Sequence, residues 1–108
     1  MYQEEELQTI MSLIMYGGEA KSCAMEAIAA AKLGKFDLAD DKLKEAQESL
    51  NLAHHSQTNM LTQEANGSGT KVGLLMVHGQ DHLMTSICFV DLAKELVDVY
   101  KELKNKDD

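Results

Sequence analysis

The chain has no proline and no arginine, only two cysteines, and aromatic residues at just 5% of its 108 positions. Each scarcity excludes something. With proline absent and aromatics few, the residues that punctuate or populate strands are largely missing. Without arginine there is no planar fork to grip phosphates or base edges through paired hydrogen bonds, and all ten basic residues are lysines. A formal net charge of −8 at pH 7 adds repulsion from nucleic acid and anionic membrane surfaces, so neither a nucleic-acid partner nor direct membrane insertion is expected. No apolar run approaches the roughly 20 residues of a membrane span. Cys23 and Cys88 match no paired metal or redox spacing and are expected to be buried, structural thiols. The opening Met1-Tyr2-Gln3-Glu4-Glu5-Glu6 is acidic where a secretory signal is basic and then apolar, which predicts a cytoplasmic protein. No glycine-rich phosphate cradle is present, so a phosphoryl group would come from another protein rather than from ATP.

Alanine, leucine, lysine, glutamate, methionine and glutamine are plentiful, all strong helix formers, and the predicted class is all-α. At 108 residues the chain suits a single domain, 1–108, with a modest core. Gly34 fits the position just past a helix end, where a positive φ is tolerated, and Asn66-Gly67-Ser68-Gly69 is a stronger break. Three long antiparallel helices are therefore predicted over about 4–33, 37–65 and 70–104. In the middle segment Phe36, Ala39, Leu43, Ala46, Leu50, Ala53, Gln57, Met60 and Glu64 alternate in steps of three and four. That is the a/d seam of a coiled coil, turning polar at Gln57 and Glu64. In the first segment Leu7, Ile10, Met11, Ile14 and Met15 form the predicted stripe. Gly17-Gly18 interrupts it and predicts a bend or a close backbone contact. The third segment carries two stripes, one of Val72, Met76, Leu83, Ile87 and Val90, the other of Leu75, Phe89, Leu92, Leu96, Val99 and Leu103. A three-helix monomer has one seam to bury, so a helix with two apolar faces predicts self-association.

The chemistry is concentrated in Val77-His78-Gly79-Gln80-Asp81-His82-Leu83-Met84-Thr85. On a helix, His78, Asp81, His82 and Thr85 share an arc of about 100°, a single reactive stripe. Two readings of it compete. His78-x-x-Asp81-His82 has the form of an inverted zincin motif with Asp for Glu. His54 or His55 on the neighbouring helix would be the third ligand of a small zinc hydrolase. Alternatively, His78 is a nucleophile that takes up a phosphoryl group, with His82 donating a hydrogen bond to the phosphoryl oxygens. Thr85 and Gln80 could do likewise, Gln80 through its amide. With its helix starting near residue 70, His78 would lie about two turns inside, beyond the helix dipole. Asp81 continues an apolar row of Leu74, Val77, Met84 and Cys88. If that row lies on an oligomer axis, several Asp81 carboxylates would meet, and a divalent cation would relieve their repulsion. A non-catalytic helical adaptor is the third possibility.

Several blocks together resemble a known family. They are Gly17-Gly18-Glu19-Ala20-Lys21-Ser22, Gly34-Lys35-Phe36 leading into Ala39, Ala53-His54-His55-Ser56-Gln57-Thr58, Glu64-Ala65-Asn66-Gly67, and the run from Val77 to Thr85. The chain resembles the IIA component of the lactose/cellobiose (N,N'-diacetylchitobiose) class of the bacterial phosphoenolpyruvate-dependent sugar phosphotransferase system. The resemblance implies a homotrimer of three-helix protomers, a nine-helix assembly. It implies His78 as the phosphorylated residue, receiving its group from phospho-HPr and passing it to a cysteine of the cognate IIB. It also implies His82 as the second active-site imidazole, and Asp81 as an axial residue whose three copies bind Mg2+ or another divalent cation. Lys21 stands where family members often carry arginine, and Gly79 where many carry alanine. A β-linked disaccharide of cellobiose or chitobiose type is expected in preference to lactose, although the glycine at 79 is the lactose-type residue.

Overall fold

The computed structural model describes residues 2–107; Met1 and Asp108, the two ends of the predicted domain, lie outside the described residues. Three helices follow one another, α1 (Glu4–Lys32), α2 (Phe36–Ala65) and α3 (Leu74–Asp107), in a rod of 58 × 20 × 19 Å. The Ser12–Ser56 and Cys23–Glu45 contacts run α1 and α2 antiparallel, and the Gln57–Gln80 and Asp40–Lys101 contacts do the same for α2 and α3. The first and third helices are consequently parallel. α1 is the central member, packing along both neighbours, which meet each other less.

The two breaks have one physical form. After α1, Gly34 adopts φ +76°, its N–H donates to Ala31 O (3.0 Å), and the N–H of Lys35 reaches back to Ala30 O (2.9 Å). After α2, Gly67 adopts φ +85°, its N–H donates to Glu64 O (3.0 Å), and Ser68 N–H reaches Gln63 O (2.8 Å). Both are Schellman closures, which satisfy carbonyls that a helix end would otherwise leave unpaired and which need a residue without a Cβ clash at positive φ.

The third helix starts four residues later than the periodicity suggests, at Leu74 rather than 70. Gly69, Thr70, Val72 and Gly73 are all poor helix formers, and Gly73 instead becomes the cap. Its carbonyl accepts Val77 N–H (3.1 Å), and its N–H donates to the Tyr2 hydroxyl (2.7 Å). At the other end the helix continues past 104 to Asp107, with Lys104 and Lys106 in the last turn, where positive charge suits the dipole.

The seam expected in α2 is the seam observed: Ala39, Ala46, Leu50, Ala53 and Met60 are buried, Leu43 and Gln57 are half-buried, and only Glu64 is exposed. The stripe expected in α1 needs correction. Ile10 is buried and Ile14 half-buried, but Leu7, Met11 and Met15 face outward. The buried line is Ile10, Leu13, Gly17, Ala20, Ala24, Ala27 and Ala31. A helix packed between two others is best served by small side chains, which let the axes approach, and that preference outweighs raw hydrophobicity. α1 runs without a break through Gly17-Gly18, from Glu4 to Lys32, and the close backbone contact expected there is present. In α3 the first stripe is inside, apart from Val72, which precedes the helix, while Leu92, Leu96, Val99 and Leu103 of the second stripe are exposed.

Candidate functional site

The imidazoles of His78 and His82 project from successive turns of α3 and touch, with ring centroids 4.5 Å apart and planes at 82°. This is the edge-to-face arrangement in which the positive rim of one ring meets the π face of the other. His78 is exposed and His82 half-buried. Among the described residues, no hydrogen bond holds either ring. Because α3 begins at Leu74, His78 lies just over one turn from the helix start instead of about two, with its side chain tilted back toward that end. The positive pole of α3 is correspondingly nearer than the sequence suggested.

Asp81 is on the same outward face, exposed, with its carboxylate free of hydrogen bonds and ion pairs among the described residues. Its row consists of Leu74, Val77, Met84 and Cys88, all exposed as well. The expectation of a buried Cys88 is thus wrong for the protomer, because its face of α3 has no neighbour among the described residues. Cys23 is half-buried, its Sγ 3.8 Å from Glu45 Oε2. Partial burial first, then the negative charges of Glu45 and Glu26, push its thiol pKa up, the opposite of what a reactive thiolate needs.

Two of the donors expected to assist His78 are engaged elsewhere. The Thr85 hydroxyl donates to the carbonyls of Asp81 (2.8 Å) and, more weakly, His82 (3.4 Å). The Gln80 side chain turns inward, where its Oε1 accepts from Gln57 Nε2 (2.7 Å) and its own Nε2 lies 3.9 Å from Met60 Sδ and 3.8 Å from Met76 Sδ. The Gln80 backbone N–H is inside the helix and committed to its ladder. Gln80 therefore supports the α2–α3 contact beneath the site. Its partner Gln57 was visible in the sequence as the polar interruption of the α2 seam, although the pairing itself was not.

The segment behind the histidines rests on α1 with almost no clearance. A Cβ at Gly17 would stand 3.2 Å from the His82 carbonyl oxygen, 3.3 Å from its carbon and 3.4 Å from Ser86 Oγ. A Cβ at Gly79 would meet Ile10 Cγ2 at 3.2 Å and the Ile10 carbonyl oxygen at 3.3 Å. One turn beyond His82, buried Ser86 donates from Oγ to the Gly17 carbonyl at 2.8 Å. Lys21 Nζ sits 5.8 Å above the Phe89 ring, a cation–π contact with no anionic group in it.

Among the described residues, no three His, Cys, Asp or Glu side chains are grouped to hold a metal ion. His54 and His55 are exposed on α2 and supply no third ligand to the histidine pair within the chain. Among the apolar residues near His78, Val77 and Met84 are exposed while Met76 and Leu83 are buried. Beside His78 an apolar groove of about 300 Å³ runs between the end of α2 and the start of α3, lined by Met60, Leu61, Val72, Met76 and Val77. No helix among the described residues is long and apolar enough to cross a membrane.

Comparison with known proteins gives a consistent result. Residues 8–101 match the family described as "PTS system, Lactose/Cellobiose specific IIA subunit". The lichenan-specific phosphotransferase enzyme IIA component of Bacillus subtilis is 47% identical over 100 residues, 93% of this chain and 91% of that protein. The lactose-specific EIIA component of Staphylococcus epidermidis is 42% identical over 99 residues, 91% of this chain and 95% of that one. Among solved structures, the cellobiose-specific enzyme IIA of Bacillus anthracis superposes with a TM-score of 0.93 at 43% identity, covering 98% of this chain and 96% of that one. The chitobiose IIA of Escherichia coli, solved in complex with HPr, superposes with a TM-score of 0.81 at 37% identity, covering 94% and 99%.

Proposed function

The chain belongs to the lactose/cellobiose-specific IIA family of the sugar phosphotransferase system, and on that premise we propose that it carries phosphoryl groups on His78, taking them from phospho-HPr and giving them to a cysteine of the cognate IIB. The observation that carries the residue assignment is the His78–His82 contact on the outward face of α3. A nucleophilic imidazole needs a free ring nitrogen and a neighbour able to steady incoming negative charge. With Thr85 and Gln80 bonded elsewhere, His82 is the donor one turn away that is positioned to do so. A free nitrogen of His78 attacks phosphorus, forming an N–P bond as the bond to the donor breaks and its electron pair stays with HPr. A thiolate of IIB then attacks the same phosphorus, and the N–P electron pair returns to the imidazole. The exposed position of His78 fits a group that must meet two partners in turn.

The outward apolar row of α3, from Leu74 to Leu103, supports a self-assembled form, and the resemblance to the family implies three copies. Asp81 lies in that row. Its three copies would hold a divalent cation such as Mg2+, whose contribution is to neutralise their mutual repulsion. Hard carboxylate oxygens suit such an ion. The name of the Bacillus anthracis relative supports a cellobiose-type disaccharide for the system as a whole, and the carrier is proposed to work on the cytoplasmic side of the membrane.

The test is intact mass after incubation with phosphoenolpyruvate, enzyme I and HPr. Wild type should gain about 80 Da in an acid-labile form, and His78→Ala should gain nothing. No gain in wild type, with the donor chain shown to be active, would defeat the proposal and leave the adaptor reading.

A further inference from the structure

We infer that Gly17 and Ser86 are positioning residues for the imidazole pair, fixing the place of His82 relative to His78 through the backbone of α3. Neither ring is anchored by a hydrogen bond among the described residues, so their mutual geometry follows from the backbone that carries them and from their contact with each other. That backbone lies close against α1 at two points within the pair's own turn. One is Gly79, where an added Cβ would meet Ile10 at 3.2 Å; the other is the His82 carbonyl, which faces Gly17. Ser86, 1% exposed, ties the second point with its 2.8 Å bond to the Gly17 carbonyl.

The neighbours that a methyl group at residue 17 would meet at 3.2 and 3.3 Å are backbone atoms of His82, which cannot swing away as a side chain would. The helices must separate by a few tenths of an ångström, or α3 must turn. Either movement is passed to the His82 ring, because its Cα moves with its own carbonyl. Gly18 provides the internal control. A Cβ there meets no heavy atom within 4 Å, although the residue adjoins Gly17 in the same helix. Replacing either glycine by alanine gains the same helix propensity, so any difference between the two variants reports the contact.

The catalytic half of this inference rests on the phosphocarrier reading, while the structural half does not. Gly17→Ala, Ser86→Ala and Gly18→Ala would be compared with wild type after checking helix content and assembled mass. Ring 1H–15N cross-peaks of the unphosphorylated protein should move for His82 in the first two variants and remain in place in Gly18→Ala. Phosphoryl uptake from phospho-HPr should fall about fivefold in kcat for Gly17→Ala and Ser86→Ala, with KM changed less than about twofold, since docking is untouched. Unmoved cross-peaks and a wild-type kcat in both variants would overturn the inference, as would an equal loss in Gly18→Ala. Should Gly17→Ala fail to fold, Ser86→Ala, which removes a single oxygen, decides the matter. A wild type that accepts no phosphoryl group defeats the proposed function, and the cross-peaks still decide the positioning role.

Discussion

Along the inward face of α3, Leu83, Ser86, Val90, Ala93 and Val97 are at most 1% exposed, whereas on its outward face Leu74, Val77, Leu92, Leu96, Val99 and Leu103 are at least 40% exposed. Both faces are rich in apolar side chains. Among the described residues only the inward one is covered within the protomer, where it meets α1 closely and a methyl group at Gly17 or Gly79 would require the helices to shift by a few tenths of an ångström. His78, Asp81 and Thr85 belong to the outward face, with half-buried His82 at its edge. The difference teaches that the side that holds the protomer together and the side that carries the proposed site are opposite faces of one helix. A substitution on one side should therefore register in a different measurement from a substitution on the other.

The largest effect is expected inside. Leu83→Ala leaves a cavity in the middle of the core and should lower unfolding free energy by about 3 kcal/mol, measured by urea titration. A loss below about 1 kcal/mol would mean that the inward face is not the stabilising one. Next comes the outer row. Leu92→Glu should reduce the assembled mass in sedimentation to that of the protomer while helix content is retained; an unchanged mass would break the division of labour. Asp81→Leu tests the same row with the opposite sign. Removing like charges from a shared axis should leave the assembly intact and raise its melting temperature by a few degrees, without any response to chelator. Dissociation of that variant would remove Asp81 from the axis.

The smallest effect concerns the two thiols. Cys23 lies against α2, where burial and the charges of Glu45 and Glu26 raise its pKa, so at fixed pH its thiolate fraction is reduced. In a Cys88→Ser background, alkylation of Cys23 should be slow at pH 8 and should accelerate as pH rises toward the raised value. Glu45→Gln, which removes one of the acidic causes, should speed it about twofold at pH 8. A rate insensitive to Glu45 would leave burial and the charge of Glu26 as the cause.

Much of this arrangement was legible before the structure, and the failures have a common origin. The Gly34 and Gly67 breaks were readable because positive φ leaves few choices of residue. The α2 seam was readable because leucine and alanine alternate on one period. The α1 stripe was misplaced because Leu7, Met11 and Met15 outweigh Ala20, Ala24 and Ala27 on any hydrophobicity count, whereas close packing of a central helix selects for size. The histidine face was legible from spacing alone. The side-chain destinations of Gln80 and Thr85 were not, since an amide one turn from a nucleophile points either way until the neighbouring helix is in place. The close contact at Gly17 was anticipated only as one of two outcomes, and its partner, the His82 carbonyl, lies 65 residues further along the chain.

That separation bears on the order of folding. Contacts between the parallel α1 and α3 join residues far apart in sequence, such as Gly17 against His82 at a separation of 65 and the Gly17–Ser86 bond at 69. The α1–α2 hairpin, by contrast, closes through a short turn and can collapse while α3 is still being synthesised. The backing of the imidazole pair is then among the last native contacts to form, and a nascent or truncated chain can be largely helical while its two imidazoles have nothing behind them.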